Sequence, residues 1–363
     1  MALVTPFGAL DALDVASEEQ QMRILSLDKH QMLEGIVAEG AFRSFLDRLG
    51  GLGAALLPLS VVKGADPGGD PVWWVWDRGD KAGEAFRTVA RPLRDAGATV
   101  ARCRYDPGRM DFLMRMAGRE PEPVQTCLMR HRGLSEPDFS RLPAATVREP
   151  GRSMRAFMGG IQGMFGSPSE VFSQVVLERM FKNFVLSPFF RYLWDVDHLL
   201  SLPDGRVMQF EVKHKYPFGA RDRLRFGINT GQVRLMHELA CAGIETLHMI
   251  MVKPVWNDRV STGYMLNDLA MREHVLILAR RIGLGDTEAM LGQQASRSGS
   301  KTAFGGRGGL RYVPVPVDGF HLLGTLDDPA DVVAGNMLAA ASETLEAPVT
   351  SGMLQQHRQA EKW

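Results

Sequence analysis

The chain has no excess of either charge: forty-two Lys plus Arg balance forty-two Asp plus Glu over 363 residues. Any attraction to a nucleic acid or an anionic membrane must therefore come from local patches. Cysteine is scarce, and Cys103, Cys127 and Cys241 are odd in number, far apart and free of any CxxC or Cys/His cluster. Neither a disulfide framework nor a zinc site is indicated, and a reducing cytosol is the default compartment. Long apolar runs are missing as well; no stretch approaches the length needed to cross a bilayer. The first residues, "MALVTPFGALDALDVASEEQ", lack a basic region followed by an apolar one, so no leader is expected. These absences point to a cytoplasmic protein with no membrane partner. What is present, 45% hydrophobic residues and no visible repeat, suffices for two or three domains with real cores.

Residues 70–106 carry an α/β signature: the run "VWWVWD", the helical segment "GEAFRTVARPLRDAG" and the strand "TVARCRYD". Pro92 should kink that helix or end it early. The tryptophans suit core packing better than base stacking, because they sit on an unbroken apolar run. Residues 132–152 are rich in Pro, Ser, Arg and Gly without a period and read as a connector, which places a domain boundary near 150. "SPSEVFSQVVLERMFKNFVL" then reads as a helix with Ser167 as N-cap, Pro168 at the first position and Glu170 closing a capping box. A hairpin and a basic loop follow. Next come a helix over "TGQVRLMHELACAG" ended by Gly243 and a strand "TLHMIMVK" closed by Pro254. The division expected is 1–150, an α/β region; 151–285, a second domain; and 286–363, a glycine-rich basic loop with a strand, an Ala-rich helix and a polar tail.

The stretch "DVDHLLSLPDGRVMQFEVKHK" is unusual. "PDG" at 203–205 matches a three-residue hairpin loop with glycine at positive φ. With Leu202 facing Arg206, Asp197 stands across from Glu211 and Asp195 across from Lys213. Side-chain alternation then puts all four charges on one face of the sheet. Two opposed carboxylates, with Cβ atoms about 5 Å apart, repel unless something positive lies between them. A hard divalent ion, Mg²⁺ or Mn²⁺, suits oxygen-only ligands. The competing view is an exposed hairpin with surface ion pairs. Against it, "HLLSL" and "VMQF" are apolar enough for a sheet covered on both sides.

An acid before an apolar strand, a turn, and Glu-x-Lys after a second apolar strand resemble the PD-(D/E)xK nuclease superfamily, and in particular the nuclease-related domain (NERD) branch. Asp197 precedes "HLL", and "EVK" occupies 211–213; the likeness spans roughly residues 160–254. It implies an α/β fold with a restriction-endonuclease-like core of helix, three-strand meander, helix and strand. It implies further that Asp197, Glu211 and the Val212 carbonyl hold the ion and that Lys213 is the catalytic amine. Some branches carry Gln-x-x-x-Tyr on the following helix; here Gln232 is followed by Met236, which leaves Gln232 alone as a catalytic candidate. A metal-supporting glutamate on the preceding helix would be Glu170 or Glu178. Glu170 is preferred because it falls on the apolar side of that helix, and the capping role is compatible with it.

The activity implied is Mg²⁺-dependent hydrolysis of DNA phosphodiesters, in repair, recombination or defence against invading DNA. A homodimer would suit cleavage of both strands. Asp195 would position Lys213 or serve as a second ligand. Lys215, Arg221, Arg223 and Arg225, against Asp222 alone, would contact the DNA backbone. His198 and His214 face away from the acids. Two alternatives stand beside this one: a nuclease fold without turnover that binds DNA or regulates, and an N-terminal half that carries the main activity.

Overall fold

The computed structural model describes residues 2–360 apart from 28–30, 67–68, 80–82, 116–119, 141, 143–150, 258–259, 261 and 298–308. The chain divides into two compact units: residues 1–33 with 57–196, and residues 34–56 with 197–363.

The first unit is built on a six-stranded sheet. Strand β1 (Leu59–Ala65) pairs antiparallel with β2 (Val72–Asp77), and helix α1 (Glu84–Asp95) connects β2 to a parallel neighbour, β3 (Thr99–Asp106). Beyond β3 lie β4 (Asp111–Met114) and the short strand Glu122–Pro123, while the opposite edge is β5 (Tyr192–Val196), antiparallel to β1. Trp73, Trp74 and Trp76 on β2 are all buried, because both sheet faces are covered, so the aromatic run is core. Trp76 packs edge-on to Phe112 at 4.9 Å. Phe86, Val89, Ala90 and Leu93 give α1 its buried stripe at helical spacing. Pro92 does not end α1 early: it lies in the last turn, and the helix runs on to Asp95.

At the end of β2 the Asp77 carboxylate is fully covered and receives Arg102 through Nε at 3.0 Å and Nη2 at 2.5 Å. Gly83, at φ +66°, leaves the space that the Arg102 guanidinium occupies. Removing Arg102 would strand a buried carboxylate. Arg102→Ala is expected to lower the unfolding free energy by about 3 kcal/mol, the low end for a broken buried pair, because Arg104 Nη2 stays 3.7 Å from the same oxygen. A urea titration checks this, and an unchanged midpoint would show that Asp77 does not depend on Arg102.

The second unit opens at Asp197. Strands β6 (His198–Ser201) and β7 (Val207–Lys215) form the expected hairpin. Gly205 has φ +83°, Leu202 N donates to Arg206 O at 2.8 Å, and the register pairs Ser201 with Val207 and His198 with Phe210. The chain then forms β8 (Phe218–Ala220), β9 (Arg223–Asn229) and helix α2 (Thr230–Cys241), which Gly243 closes at φ +76°. It returns as β10 (Glu245–Val252), parallel to β7. Strands β11 (Leu276–Ile282) and β13 (His321–Thr325) extend that sheet on one side, and Ala55–Leu56 borders β6 on the other. Strand β12 (Arg311–Pro316) pairs instead with β9 and with Ser296–Arg297. Val233 and Met236 of α2, Ile250 and Leu278 of the large sheet, and Leu224, Phe226, Val313 and Val315 of the small one share a core. Helix α3 (Ala330–Ala341) packs on β11 and β13, and a last helix, α4 (Ser351–His357), follows.

The chain is thus α/β, with three differences from expectation. The unit boundary lies between Val196 and Asp197, not near 150, because β5 completes the first sheet while β6 starts the second, and residues 34–56 join the later unit. The three strands after the helical stretch do not form one meander, since β9 leaves β7 to pair with β8 and β12. Residues 286–363 are no appendage: Leu284–Leu291 is a helix, and β12, β13 and α3 build the second core. Much of the glycine-rich basic loop, 298–308, lies outside the described residues.

Candidate active site

The alternation of β7 sends Gln209, Glu211, Lys213 and Lys215 to the sheet face that α2 covers. The odd loop at Gly205 brings Asp197 to the same place from the start of β6. Asp197 Oδ2 accepts from Val212 N at 3.1 Å and from Lys213 Nζ at 3.1 Å. The same ammonium lies 2.5 Å from Glu211 Oε1. Lys213 therefore holds the position between the carboxylates where positive charge was required. The Glu211 side chain is 1% exposed and that of Lys213 32%, so the amine reaches solvent while the acid is sealed behind it.

Amides fix the buried carboxylate. Gln232, from the first turns of α2, donates through Nε2 to Glu211 Oε1, and Gln209 donates to Oε2 at 2.8 Å. The carboxylate only accepts, which turns the Gln209 Nε2 toward it, and Thr246 Oγ1 donates to the Gln209 Oε1 left on the other side at 2.9 Å. Gln209 was not anticipated from sequence, although the period of two from Glu211 was a sufficient signal. In register with Glu211 on β10 stands His248, wholly buried, and neither ring nitrogen has a hydrogen-bond partner among the described residues. Burial, reinforced by Lys215, Lys213 and Arg280, pushes it well below the usual imidazole range, so it is neutral.

Of the remaining expected residues, Asp195 is corrected. It lies on β5 in the first unit, across from Val62, and pairs with Lys182 Nζ at 2.6 Å; it does not face Lys213, because the chain changes sheets at Asp197. Glu170 and Glu178 also belong to the first unit. The Glu170 carboxylate closes the capping box, accepting from Ser167 N at 2.7 Å and Ser167 Oγ at 2.8 Å. Those bonds hold it below the usual carboxylate range. Glu178 meets Ser60 Oγ at 3.0 Å and Arg78 Nη2 at 3.1 Å. Among the described residues no three His, Cys, Asp or Glu side chains gather as a metal group. His214 Nε2 meets Tyr264 OH at 2.6 Å on the opposite face, and burial presses its pKa down to about 3.

Arg221, Arg223 and Arg225 are exposed, as a backbone-binding role requires. Lys215 is not free for phosphate: its Nζ donates to Gly227 O at 2.8 Å. Part of its surface stays open, yet protein packed around the ammonium pushes it down to about 7, with Lys213 adding to the shift and Glu211 opposing it. No helix among the described residues is long and apolar enough to cross a membrane. No protein-family model, curated protein or solved structure matches the chain.

Two outcomes follow from these contacts. Gln209→Ala removes a donor from a sealed carboxylate and is expected to cost about 2 kcal/mol in a denaturant titration; Gln209→Glu should cost more by adding a second charge. Lys215 titrates near 7 when folded and near 10.4 when unfolded, so between those values only the unfolded chain keeps the proton. The stability of the native chain, taken relative to Lys215→Met, should rise with pH from about 7 to about 10 and stay level below 7. A difference that is flat across that window would place the ammonium in open solvent.

Proposed function

We propose that the second unit is a metal-dependent phosphodiesterase acting on DNA, with the PD-(D/E)xK pattern as its chemical core. One observation carries this reading. Asp197, Glu211 and Lys213, the three residues of the pattern, converge on the second half of β7 through an odd-loop hairpin register, with the parallel strand β10 and helix α2 beside them. The donor set fits a hard ion: oxygens of both carboxylates already lie within 3.1 Å of a single cationic nitrogen. Asp197 and Glu211 would hold Mg²⁺ or Mn²⁺ with the Val212 carbonyl. When bound, such an ion supplies Lewis acidity toward a phosphate oxygen and toward water.

The chain's own residues account for the other requirements. Gln209 and Gln232 keep the Glu211 carboxylate in one orientation. Lys213, released from its bridging position, would hold the attacking water and donate to the phosphate as charge builds on its oxygens. Attack by the water oxygen on phosphorus breaks the bond to the ester oxygen, which leaves with a proton. Exposed Arg221, Arg223 and Arg225 would neutralise neighbouring phosphates and make binding salt-dependent.

A second reading has its own observation: the Lys213 ammonium is paired with both acids at once, as it would be in a nuclease fold that binds DNA or regulates without cutting. Plasmid cleavage separates the two. Supercoiled DNA with Mg²⁺ should be nicked or degraded, EDTA should stop the reaction, and Asp197→Ala, Glu211→Ala or Lys213→Ala should each slow it by about 100-fold or more. Circular dichroism confirms that the variants fold. Cleavage surviving both the Glu211 and Lys213 substitutions, or absent with every metal and DNA form, overturns the enzyme.

A further inference from the structure

Strand β9 alternates cleanly. Leu224, Phe226 and Ile228 enter the core, while Arg223 and Arg225 are exposed on the other face and Gly227 lies between Arg225 and Asn229. Its neighbours bring aromatic rings to that outer face. Phe218 on β8 stands across from Arg225, and Tyr312 on β12 across from Asn229. The two rings meet edge to face with centroids 5.4 Å apart. They do so over Gly227, where a Cβ would sit 3.0 Å from Tyr312 Cδ2 and 3.6 Å from Phe218 Cε1, so only glycine leaves both rings their place. Phe218 is 36% exposed and Tyr312 half-buried, so π surface remains open.

We infer that this outer face is a stacking platform for the bases of an unpaired nucleic-acid strand. Rings stack on any base, and guanidiniums beside them meet the phosphates. The charge is complementary: Arg221, Arg223 and Arg225 stand against one acid, Asp222, which lies 3.5 Å from Arg223. A duplex keeps its base faces inside its own stack and offers these rings nothing, whereas a single strand can splay its bases onto them. The platform is tied to the candidate site, because the Gly227 carbonyl beneath the rings accepts from Lys215, two residues along β7 from Lys213. Resting on the nuclease reading for what happens next, the inference makes the substrate single-stranded where it reaches Lys213.

Binding is read by fluorescence anisotropy in EDTA, where cleavage cannot intervene, with a labelled oligothymidine of about 15 nucleotides and a duplex of equal length. The native chain should prefer the single strand. Phe218→Ala and Tyr312→Ala should each weaken single-strand binding by roughly tenfold and leave duplex binding unchanged, while Phe218→Trp retains affinity. Oligouridine in a parallel arm distinguishes RNA from DNA; tight, ring-dependent binding of either supports the platform. Independently of any variant, a 5-iodouracil oligonucleotide should photo-cross-link within 218–229 or 311–316. Equal affinity for single strand and duplex, ring variants that bind like the native chain, or adducts mapping elsewhere overturn it. Ring-dependent binding without cleavage of any DNA form, single-stranded or supercoiled, would sink the nuclease and keep the platform; cleavage with ring-independent binding would do the reverse.

Discussion

The second unit depends on one ammonium between two carboxylates. Without Lys213, Asp197 and a nearly sealed Glu211 would face each other from adjacent strands at a cost that the hairpin could not easily absorb. With it, the charges balance locally and the amides of Gln209 and Gln232 complete the coordination of the buried acid. Such a cluster is a poor device for stability alone, since packed apolar residues of similar volume commonly do as well or better than a buried ion pair. Its place midway along β7, with the Lys213 side chain one-third exposed, is in keeping with the chemistry proposed for it.

That cluster was legible because its causes are local. A Pro-Asp-Gly turn sets an odd loop, an odd loop sets the register, and the register places Asp197 beside Glu211 and Lys213. The capping box at Ser167 and Glu170, the Gly243 stop and the buried tryptophan run were readable for the same reason: each rests on a few adjacent residues. Asp195 failed where the reasoning assumed that one continuous apolar stretch forms one strand. "YLWDVDHLL" is two strands in two sheets, broken at Asp197, and no short-range signal marks the switch because both halves are equally extended and apolar. The same long-range pairing moved the boundary from 150 to 196 and drew residues 34–56 into the second unit.

Departure of β9 from the large sheet, the largest difference from the expected meander, has a consequence for the site. A third strand paired directly along β7 would have been covered on both faces, as its neighbours are. By joining β8 and β12 instead, β9 keeps one face in the core and turns the other, with Arg223, Arg225 and the rings over Gly227, to solvent. The Lys215 side chain still reaches it, through the Gly227 carbonyl.

This bridge sets how the two surfaces communicate. Lys215 cannot offer its amine to phosphate while it holds Gly227, and burial, with Lys213 beside it, lowers its own hold on a proton. Under the proposed function, the positive charge offered to a nucleic acid would come from the exposed arginines of β9 and from Lys213, one set arranged along a strand and the other confined to a single amine at its acids. Alternation on one short strand would, on that reading, divide the labour: odd positions 223 and 225 for the phosphates, the rings above glycine 227 for the bases, and even positions for the core that keeps both in place.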